Sequence, residues 1–432
     1  MDFLYDPALW TVLIFLFLLL IKVPIAISIG IASLAVAWQC DLGLPMTSYN
    51  FFANIAKFPL LAIPYFILAG NIMSRAGIAT RIINLIRISF GKLTGGLAIA
   101  TVIVAAFWGA VSGSPAATVA ALGVILIPGM VDAGYSRPFA TAVVSVSSGL
   151  SSVIPPSIAF IMYGVITGVS IGAIFAAGFI PGFIIAFCMI VSVYLSSRRH
   201  GYRGDNIERK PGDLRAAFKE AIFALLIPVI ILGGIYGGIF TPTEAAAVAC
   251  FYGLFVGVFV YRSLTIKVIY EVLVDTLIGS AIVMFISACA GLYSWVSASV
   301  GLVEKTSALL IGISGNEYVT LLMIYIILFI GGMLLDAVSL MYVFMPLIMP
   351  VMANFGWDPV WFGVMLAIMV AIGCVTPPVA VSLFVGCRIS GLTIEELTPP
   401  VLPLLFSMLC GMAVLSIFPQ ITMFLPKLMG FM

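Results

Sequence analysis

Residues able to do chemistry are few in this sequence, and the most unusual of them is Asp336. It is the only charged residue between Glu317 and Asp358, in an otherwise apolar stretch. A carboxylate inside a membrane is costly unless it is paired, ligated or protonated, so its position predicts a function. Three roles are open for it: a sodium ligand, a proton-coupling group, or an acid that caps a helix and is held by backbone N–H groups.

A second candidate site is the motif Gly-Ala-Val-Ser-Gly-Ser-Pro-Ala-Ala-Thr at 109–118. Ser114 can cap a new helix whose first residue is Pro115, which predicts a helix N-terminus within the membrane. Its N–H groups favour an anion, and carbonyl groups released at the turn can bind a cation. The alternative is a Ser/Gly kink that lets two helices pack closely.

Two proline pairs, Pro155-Pro156 and Pro377-Pro378, interrupt what would otherwise be long apolar helices. Each proline removes an N–H donor and disfavours helix before it. Serines at 147, 148, 151, 152 and 157 flank the first break, while Thr376 and Ser382 flank the second. Such neutral oxygens suit Na⁺, so the breaks predict sodium sites, with simple proline kinks as the alternative.

Arrangements typical of enzymes are missing. His200 is the one histidine, and the seven cysteines include no CxxC pair. The sequence has no paired aspartates, no Ser/His arrangement and no cluster of metal ligands. We therefore predict that the protein has no catalytic residues and is not an enzyme. The cysteines are predicted to be small buried packing residues.

Two other charged residues are interpreted as structural. Thr241, Pro242 and Glu244 have the spacing of a capping box, although Glu244 could instead be an intramembrane carboxylate. Arg388 could receive a substrate carboxylate. It stands about three helical turns beyond Pro378, however, and we favour an anchor at the membrane interface.

The elements that must position these residues are membrane helices. Of the 432 residues, 63% are hydrophobic and 8% are charged, whereas soluble domains carry about 25% charged residues. This composition predicts an all-α polytopic membrane protein and excludes soluble multidomain enzymes. The net charge of +2, with dispersed basic residues, excludes a nucleic-acid surface. The N-terminus lacks the basic region of a secretory signal, so its apolar run should be retained in the membrane.

The predicted orientation of the chain in the membrane follows from the positions of its basic residues. The segment 198–220 holds seven of the nineteen lysines and arginines, which predicts a cytoplasmic linker. A second basic region leads into 78–92, which is predicted to be an amphipathic helix on the cytoplasmic membrane surface, or else a simple polar loop.

The sequence also contains an internal repeat. With an offset of 222, equivalent positions align: Gly109 with Gly331, Ser114 with Asp336, and Pro155-Pro156 with Pro377-Pro378. We therefore predict two repeats, 1–197 and 221–432, around the linker. The basic region before the first tip corresponds to a segment that carries Glu304, Lys305 and Glu317, and this opposite charge bias predicts repeats of inverted topology.

Each repeat is predicted to contain five crossings. They are expected at 9–22, 24–38, 58–75, 138–168 and 174–197, and at 221–239, 242–261, 277–297, 357–388 and 400–425, with both termini periplasmic. The first two predicted crossings are short and could together form one bent helix. Apolar limbs at 94–131 and 319–352 are predicted to be re-entrant hairpins, although two full spans would have the same parity. The crossings at 138–168 and 357–388 are the two broken helices.

The motifs at 109–118, 153–156, 240–247 and 375–378 closely resemble the large, DctM-like membrane subunit of the tripartite ATP-independent periplasmic (TRAP) transporters. The resemblance covers essentially the whole chain. It implies a sodium-coupled importer of an organic anion, of the sialic acid or C4-dicarboxylate type, in the bacterial inner membrane. It also implies an elevator movement of the hairpins and broken helices.

The partners implied by this resemblance are a periplasmic substrate-binding protein and a small four-helix membrane subunit, here expected as a separate chain. No organic cofactor is implied. The alternative is a self-sufficient sodium-coupled dicarboxylate or anion transporter that needs no binding protein. A channel is disfavoured by the two discontinuous repeats.

The repeat register pairs each hairpin tip with a break and predicts two sodium sites. The first comprises Ser112, Gly113, Ser114, Gly149, Val153 and Pro155, and the second comprises Gly332, Asp336, Gly373, Thr376 and Pro377. Substrate contacts are expected at Ser114, Pro115, Ser157, Asp336, Ser339 and Pro378.

Overall fold

The computed structural model describes residues 6–202 and 212–431. Within these ranges all regular structure is helical, which confirms the predicted all-α class. Much of the predicted cytoplasmic linker, at 203–211, lies outside the described residues.

The described part of the first half contains helices α1 (Pro7–Leu20), α2 (Ile25–Gln39), α3 (Leu44–Ala53), α4 (Ala62–Arg75), α5 (Ile78–Phe90), α6 (Gly96–Ser112), α7 (Pro115–Asp132), α8 (Arg137–Ser147), α9 (Leu150–Val153), α10 (Ile158–Thr167) and α11 (Ile171–Arg199). The second half contains α12 (Asp213–Tyr236), α13 (Pro242–Phe255), α14 (Ile266–Ser299), α15 (Leu302–Ile313), α16 (Glu317–Leu334), α17 (Ala337–Phe355), α18 (Pro359–Gly373), α19 (Val381–Ser390), α20 (Ile394–Ile417) and α21 (Pro419–Leu428).

In the described ranges, ten helical stretches are long and apolar enough to cross a membrane. Seven of them coincide with predicted crossings, and the other three are limbs of the two predicted hairpins. The first two predicted crossings form separate helices, α1 and α2, which pack against each other. The idea of one bent helix is therefore wrong, and the chain turns at Lys22, whose φ is +67°.

The structure adds detail at three predicted segments. Helix α14 begins at Ile266 and so extends beyond the predicted crossing 277–297, and near its start Arg75 lies 3.7 Å from Glu271 and 3.5 Å from Asp275. The last crossing is divided into α20 and α21 at Phe418, where the following proline disfavours helix. The charged segment after α14 forms the helix α15, which the sequence analysis did not assign.

The helices form two groups. Helices α1–α5 and α12–α15, here called the frame helices, pack mainly through α4 with α13 and α14, α2 with α14, and α5 with α12. Helices α6–α11 and α16–α21, here called the core helices, pack through α11 with α20, α7 with α8, and α16 with α18. The groups meet where α14 and α15 contact α17 and where α4 and α5 contact α6.

Two short helices lead from the frame into the core. Helix α5, predicted as amphipathic, buries Ile78, Ile82 and Ile83 and places the Arg81 guanidinium 3.6 Å from the ring centre of Tyr261. Helix α15 occupies the equivalent place before the second hairpin. Each therefore connects a frame helix to the first limb of a hairpin.

Candidate transport site

The first hairpin places its tip against the middle of the first broken helix. Helix α6 ends at Ser112, Gly113 adopts a φ of +61°, and α7 begins at Pro115. The Gly113 carbonyl accepts a hydrogen bond from the N–H of Ile158 at 3.3 Å. A Cβ on Gly109 would come within 2.7 Å of the Cα of Ser151, so the two backbones are in close contact. The tip thus reaches the centre of the stretch Arg137–Thr167, and the re-entrant arrangement of the two limbs stays a prediction.

The second hairpin makes an equivalent contact. Helix α16 ends at Leu334, and α17 begins after Asp336. A Cβ on Gly373 would lie 2.6 Å from the Cα of Gly332. Because Gly373 is the last residue before the second break, this hairpin also reaches the middle of a broken helix.

Both breaks separate two helical segments. In the first, Ser157 caps α10 by accepting from the N–H of Ala159 at 3.2 Å, while its hydroxyl donates to the Ser152 carbonyl at 2.8 Å. The second separates α18 from α19, and the Thr376 hydroxyl donates to the Ile372 carbonyl at 2.6 Å. The Pro155–Pro156 and Pro377–Pro378 peptide bonds are both cis.

The two tips and the two breaks surround one cavity of about 130 Å³. The hairpins contribute Gly113, Ser114, Pro115, Ala116, Asp336, Ala337 and Val338. The broken helices contribute Ser152, Ile158, Ala159, Cys374, Val381 and Ser382, and the frame helix α14 contributes Val283.

Four helices, α7, α10, α17 and α19, begin at this cavity. Their N-terminal ends carry partial positive charge, which favours an anion. First-turn N–H groups of α10, α17 and α19 are already hydrogen-bonded within the protein. Among the described residues that line the cavity, Asp336 is the single charged side chain. The arrangement therefore combines backbone groups that attract an anion with one carboxylate that attracts a cation or a hydrogen-bond donor.

The predicted site residues fall into two sets. Gly113, Ser114, Pro115 and Asp336 line the cavity. The remaining predicted residues do not line it: Ser112, Gly149, Val153, Pro155, Ser157, Gly332, Ser339, Gly373, Thr376, Pro377 and Pro378. Several have other contacts, since the Ser112 hydroxyl lies 2.8 Å from that of Thr118, and Pro378 is exposed.

The two tip residues differ in how they begin their helices. Ser114 occupies the position before α7, but its hydroxyl makes no capping hydrogen bond, so the predicted side-chain cap is wrong. Asp336 does cap α17, accepting from the N–H of Val338 at 3.1 Å and from the hydroxyl of Ser339. Its capping role is therefore observed, while a sodium or proton role stays a prediction.

Ten of the described residues that line the cavity were absent from the predicted site residues, among them Ser152, Val283, Cys374 and Ser382. The sequence analysis named Ser152 and Ser382 as hydroxyls that flank the breaks but did not include them among the predicted ligands. Cys374 is buried, as predicted, and also forms part of the cavity wall. For Cys410, which is exposed, the prediction of a buried packing residue is wrong. Val283 lies on a frame helix far along the chain, and no local pattern marks it.

The predicted capping box is confirmed, while the role of Arg388 as an anchor at the membrane interface stays a prediction. Thr241 and Glu244 form the predicted capping box: the N–H of Thr241 donates to Glu244 Oε2 at 2.8 Å, and the N–H of Glu244 donates to Thr241 Oγ1 at 3.3 Å. Arg388 is exposed in the last turn of α19 and does not line the cavity.

Comparison with known proteins gives a consistent result. The model of the family described as "Tripartite ATP-independent periplasmic transporter, DctM component" matches residues 12–421. The chain is 38% identical over 373 residues to the isethionate TRAP transporter permease protein DctMQ of Oleidesulfovibrio alaskensis, covering 86% of this chain and 59% of that protein. It therefore spans about three fifths of that relative's length.

A second relative matches over most of both chains. The sialic acid TRAP transporter large permease protein SiaM of Vibrio cholerae is 35% identical over 386 residues, which cover 89% of this chain and 90% of that protein. Among solved structures, the YdaH transporter of Alcanivorax borkumensis aligns with a TM-score of 0.63 at 14% identity, covering 96% of this chain and 98% of that one. This likeness supports the fold alone.

The family model covers nearly the whole chain, and its family is one of transport proteins rather than enzymes. This multi-pass membrane protein belongs to the DctM component family of the tripartite ATP-independent periplasmic transporters.

Proposed function

We propose that this chain is the large permease subunit of a sodium-coupled importer that moves an organic anion across the bacterial inner membrane. The observation that carries this proposal is the cavity in which four helix N-termini meet one carboxylate, Asp336. The helix ends favour the anion, and the nearby oxygen atoms suit a small cation.

Sodium is the proposed coupling ion, with two sites at the contacts between tips and breaks. Gly109 lies against Ser151 and Gly332 lies against Gly373, so the backbones of two segments are in close contact at each place. Hydroxyl groups of Ser112 and Thr376 add neutral oxygens. In the ranges that the structure describes, no three His, Cys, Asp or Glu side chains form a metal-binding group. A cation here would therefore be bound mainly by carbonyl and hydroxyl oxygens, as Na⁺ prefers.

An elevator movement of the core helices against the frame helices is the proposed mechanism. Apart from Val283, every described residue that lines the cavity belongs to the core helices. The substrate would thus travel with the core. Helices α5 and α15 would act as the two connections that allow the core to move relative to the frame.

Two partners complete the proposed transporter. A periplasmic binding protein would deliver the anion, and a small membrane subunit would join this chain in the membrane. Membership of a tripartite family supports both.

Uptake into proteoliposomes tests the proposed function. The complex of this chain, the small subunit and a substrate-loaded binding protein should accumulate the anion when an inward sodium gradient is imposed, and the chain alone should not. Replacing the sodium gradient with a potassium gradient is the matched control. Equal uptake by the chain alone would favour the self-sufficient transporter, and uptake without sodium dependence would reject coupling.

A further inference from the structure

The tip of the first hairpin contacts the frame as well as the first break. A Cβ on Gly70, in the frame helix α4, would lie 3.4 Å from the Cα of Ser112 and 3.7 Å from its Cβ. Both residues are buried. Because glycine has no side chain, the backbone of α4 reaches the end of α6, where a side chain longer than that of alanine would hold the two helices apart. Helix α4 therefore covers the residue at which the first hairpin turns.

The other close contacts of this tip lie within the core. Gly109 lies against Ser151, and the Gly113 carbonyl accepts from the N–H of Ile158. Both partners belong to the first broken helix, so these contacts would be kept if the core moved as one body. The contact of Gly70 is different, because its two residues belong to the frame and to the core. Any movement of the core along α4 would separate them.

A second contact joins the same part of the frame to the core. Lys57 lies in the loop before α4, and its Nζ donates to the carbonyl of Val165 at 3.3 Å. Val165 is in the last turn of α10, where carbonyl groups carry partial negative charge and lack partners within the helix. The turn Phe58–Leu61 also packs against α10. The ion pairs of Arg75 and Lys305, in contrast, have both partners in the frame.

We propose that Gly70 is a positioning residue, which holds the core in one of its two transport positions through the contact with Ser112. In this position α4 covers Ser112, a proposed sodium ligand, and Lys57 holds the end of α10. Both contacts separate when the core moves, and the first tip is then uncovered. This inference rests on the proposed function, because it assumes that the core moves relative to the frame.

A disulfide between α4 and the tip tests the proposal. The distance of 3.7 Å between the two Cβ positions lies within the range of about 3.5–4.5 Å found in disulfides. Gly70→Cys together with Ser112→Cys, in a chain without the native cysteines, should therefore cross-link with copper phenanthroline. In the complete transporter, oxidation should lower sodium-driven uptake by at least about tenfold, because the core can no longer leave this position. A reductant should restore the uptake that the same protein had before oxidation.

A disulfide within the frame is the matched control. A Cβ on Gly30, in α2, would lie 3.8 Å from the Cβ of Cys289 in α14. Gly30→Cys in a chain that keeps only Cys289 should therefore cross-link as readily. Both helices belong to the frame, so oxidation of this variant should leave its uptake unchanged. Mass spectrometry shows whether each disulfide has formed.

A second pair makes the test independent of the proposed sodium ligand. Lys57→Cys and Val165→Cys, joined by a bifunctional thiosulfonate that a reductant removes, should block uptake in the same reversible way. Neither residue lines the cavity. This pair decides the question if the reduced variant with cysteines at 70 and 112 is inactive.

Two results would overturn the proposal. One is failure of the disulfide between positions 70 and 112 to form. The other is uptake that does not change when either pair is cross-linked in a protein that transports when reduced. Sodium-driven uptake by such a cross-linked protein would leave the proposed function intact and reject this inference alone. Absence of uptake by the unmodified complex would reject the proposed function itself.

Discussion

Asp336 combines a structural task with a charge inside the membrane region. Its carboxylate caps α17, and an asparagine at this position would preserve the cap because Asn and Asp are nearly equivalent as N-cap residues. Substitution by asparagine therefore separates the two properties. It removes the charge and leaves the helix start intact.

We expect Asp336→Asn to lower sodium-driven uptake by at least about tenfold, since the carboxylate is a proposed sodium ligand. The thermal unfolding midpoint should change little. Uptake in proteoliposomes over a range of sodium concentrations, with the unfolding midpoint measured in parallel, checks this expectation. Wild-type sodium dependence in the variant would show that Asp336 only caps the helix.

Two hydroxyl groups outside the cavity lining test the sodium sites separately. Ser112→Ala and Thr376→Ala each remove one proposed oxygen ligand, so the apparent affinity for sodium should fall more than the affinity for the substrate. Sodium titration of uptake gives both values. Ser33→Ala is a matched control, because Ser33, like Thr376, donates from a buried position to the carbonyl four residues earlier, but in a frame helix. If uptake by the two site variants depends on sodium concentration in the same way as uptake by Ser33→Ala, the breaks have only a structural role.

At the residue scale, capping rules predicted correctly those features that depend only on hydrogen bonds between residues close together in the chain. The capping box of Thr241 and Glu244 needs only residues three apart, and the structure contains it. The cap expected from Ser114 follows the same rule but is not formed. The tip there is held by a contact with Ile158, more than forty residues away, which a local rule does not include.

At the scale of elements, the contact between a hairpin and a broken helix depends on the absence of side chains. Gly373→Ala would place a methyl group 2.6 Å from the backbone of Gly332, and backbone cannot move away as a flexible side chain can. We expect a loss of about 1–3 kcal/mol in the free energy of unfolding, typical of overpacking. Uptake should fall as well, because the second tip no longer closes on its break.

A glycine in open surroundings provides the control for this substitution. Gly312 lies within α15, and no atom lies within 4 Å of the position of an added Cβ. Gly312→Ala should therefore leave stability unchanged or raise it by up to about 1 kcal/mol. Thermal unfolding of both variants checks the pair. A Gly373→Ala protein as stable as Gly312→Ala would mean that the second hairpin does not rest on its break.

Element boundaries were predictable where apolar stretches end at uncompensated charges. Helix α14 shows the limit of that rule. Its first turns contain Lys267, Glu271 and Asp275 and lie outside the predicted crossing 277–297, yet they are helical, and Arg75 on α4 lies 3.7 Å from Glu271 and 3.5 Å from Asp275. A partner some 200 positions away in the chain gives no local signal.

At the scale of the whole molecule, the ion pairs agree with the predicted topology, because the two partners of each pair were predicted to lie on the same side of the membrane. Lys305 lies 2.6 Å from Asp6, and both were assigned to the periplasmic side. Arg75 and Asp275 were both assigned to the cytoplasmic side. We therefore expect cysteines at positions 85 and 205 to resist an impermeant reagent added from the periplasm, and a cysteine at 305 to react, in a protein without native cysteines. Periplasmic labelling at 85 and 205 would reverse the assignment.

The sequence predicted in part that the two hairpin tips and the two helix breaks meet at one site. An offset of 222 in the sequence pairs Ser114 with Asp336 and one proline pair with the other, and residues of both tips and both breaks line one cavity. Inverted topology of the repeats stays a prediction. The volume of the cavity and the contribution of Val283 depend on tertiary packing, for which the sequence carries no periodic signal.

Asp336 is the one charged side chain among the described residues that line the cavity, and this charge has an electrical consequence. When Asp336 is ionised, the empty cavity carries a charge of minus one, and one monovalent anion with two sodium ions would bring the total to zero. Under the proposed mechanism, the loaded core would cross the membrane field without electrical work. The empty core would carry negative charge outward, and a potential of about 100 mV, negative inside, would favour that movement by up to about 2.3 kcal/mol. The membrane voltage would then drive the resetting of the transporter rather than the delivery of its substrate.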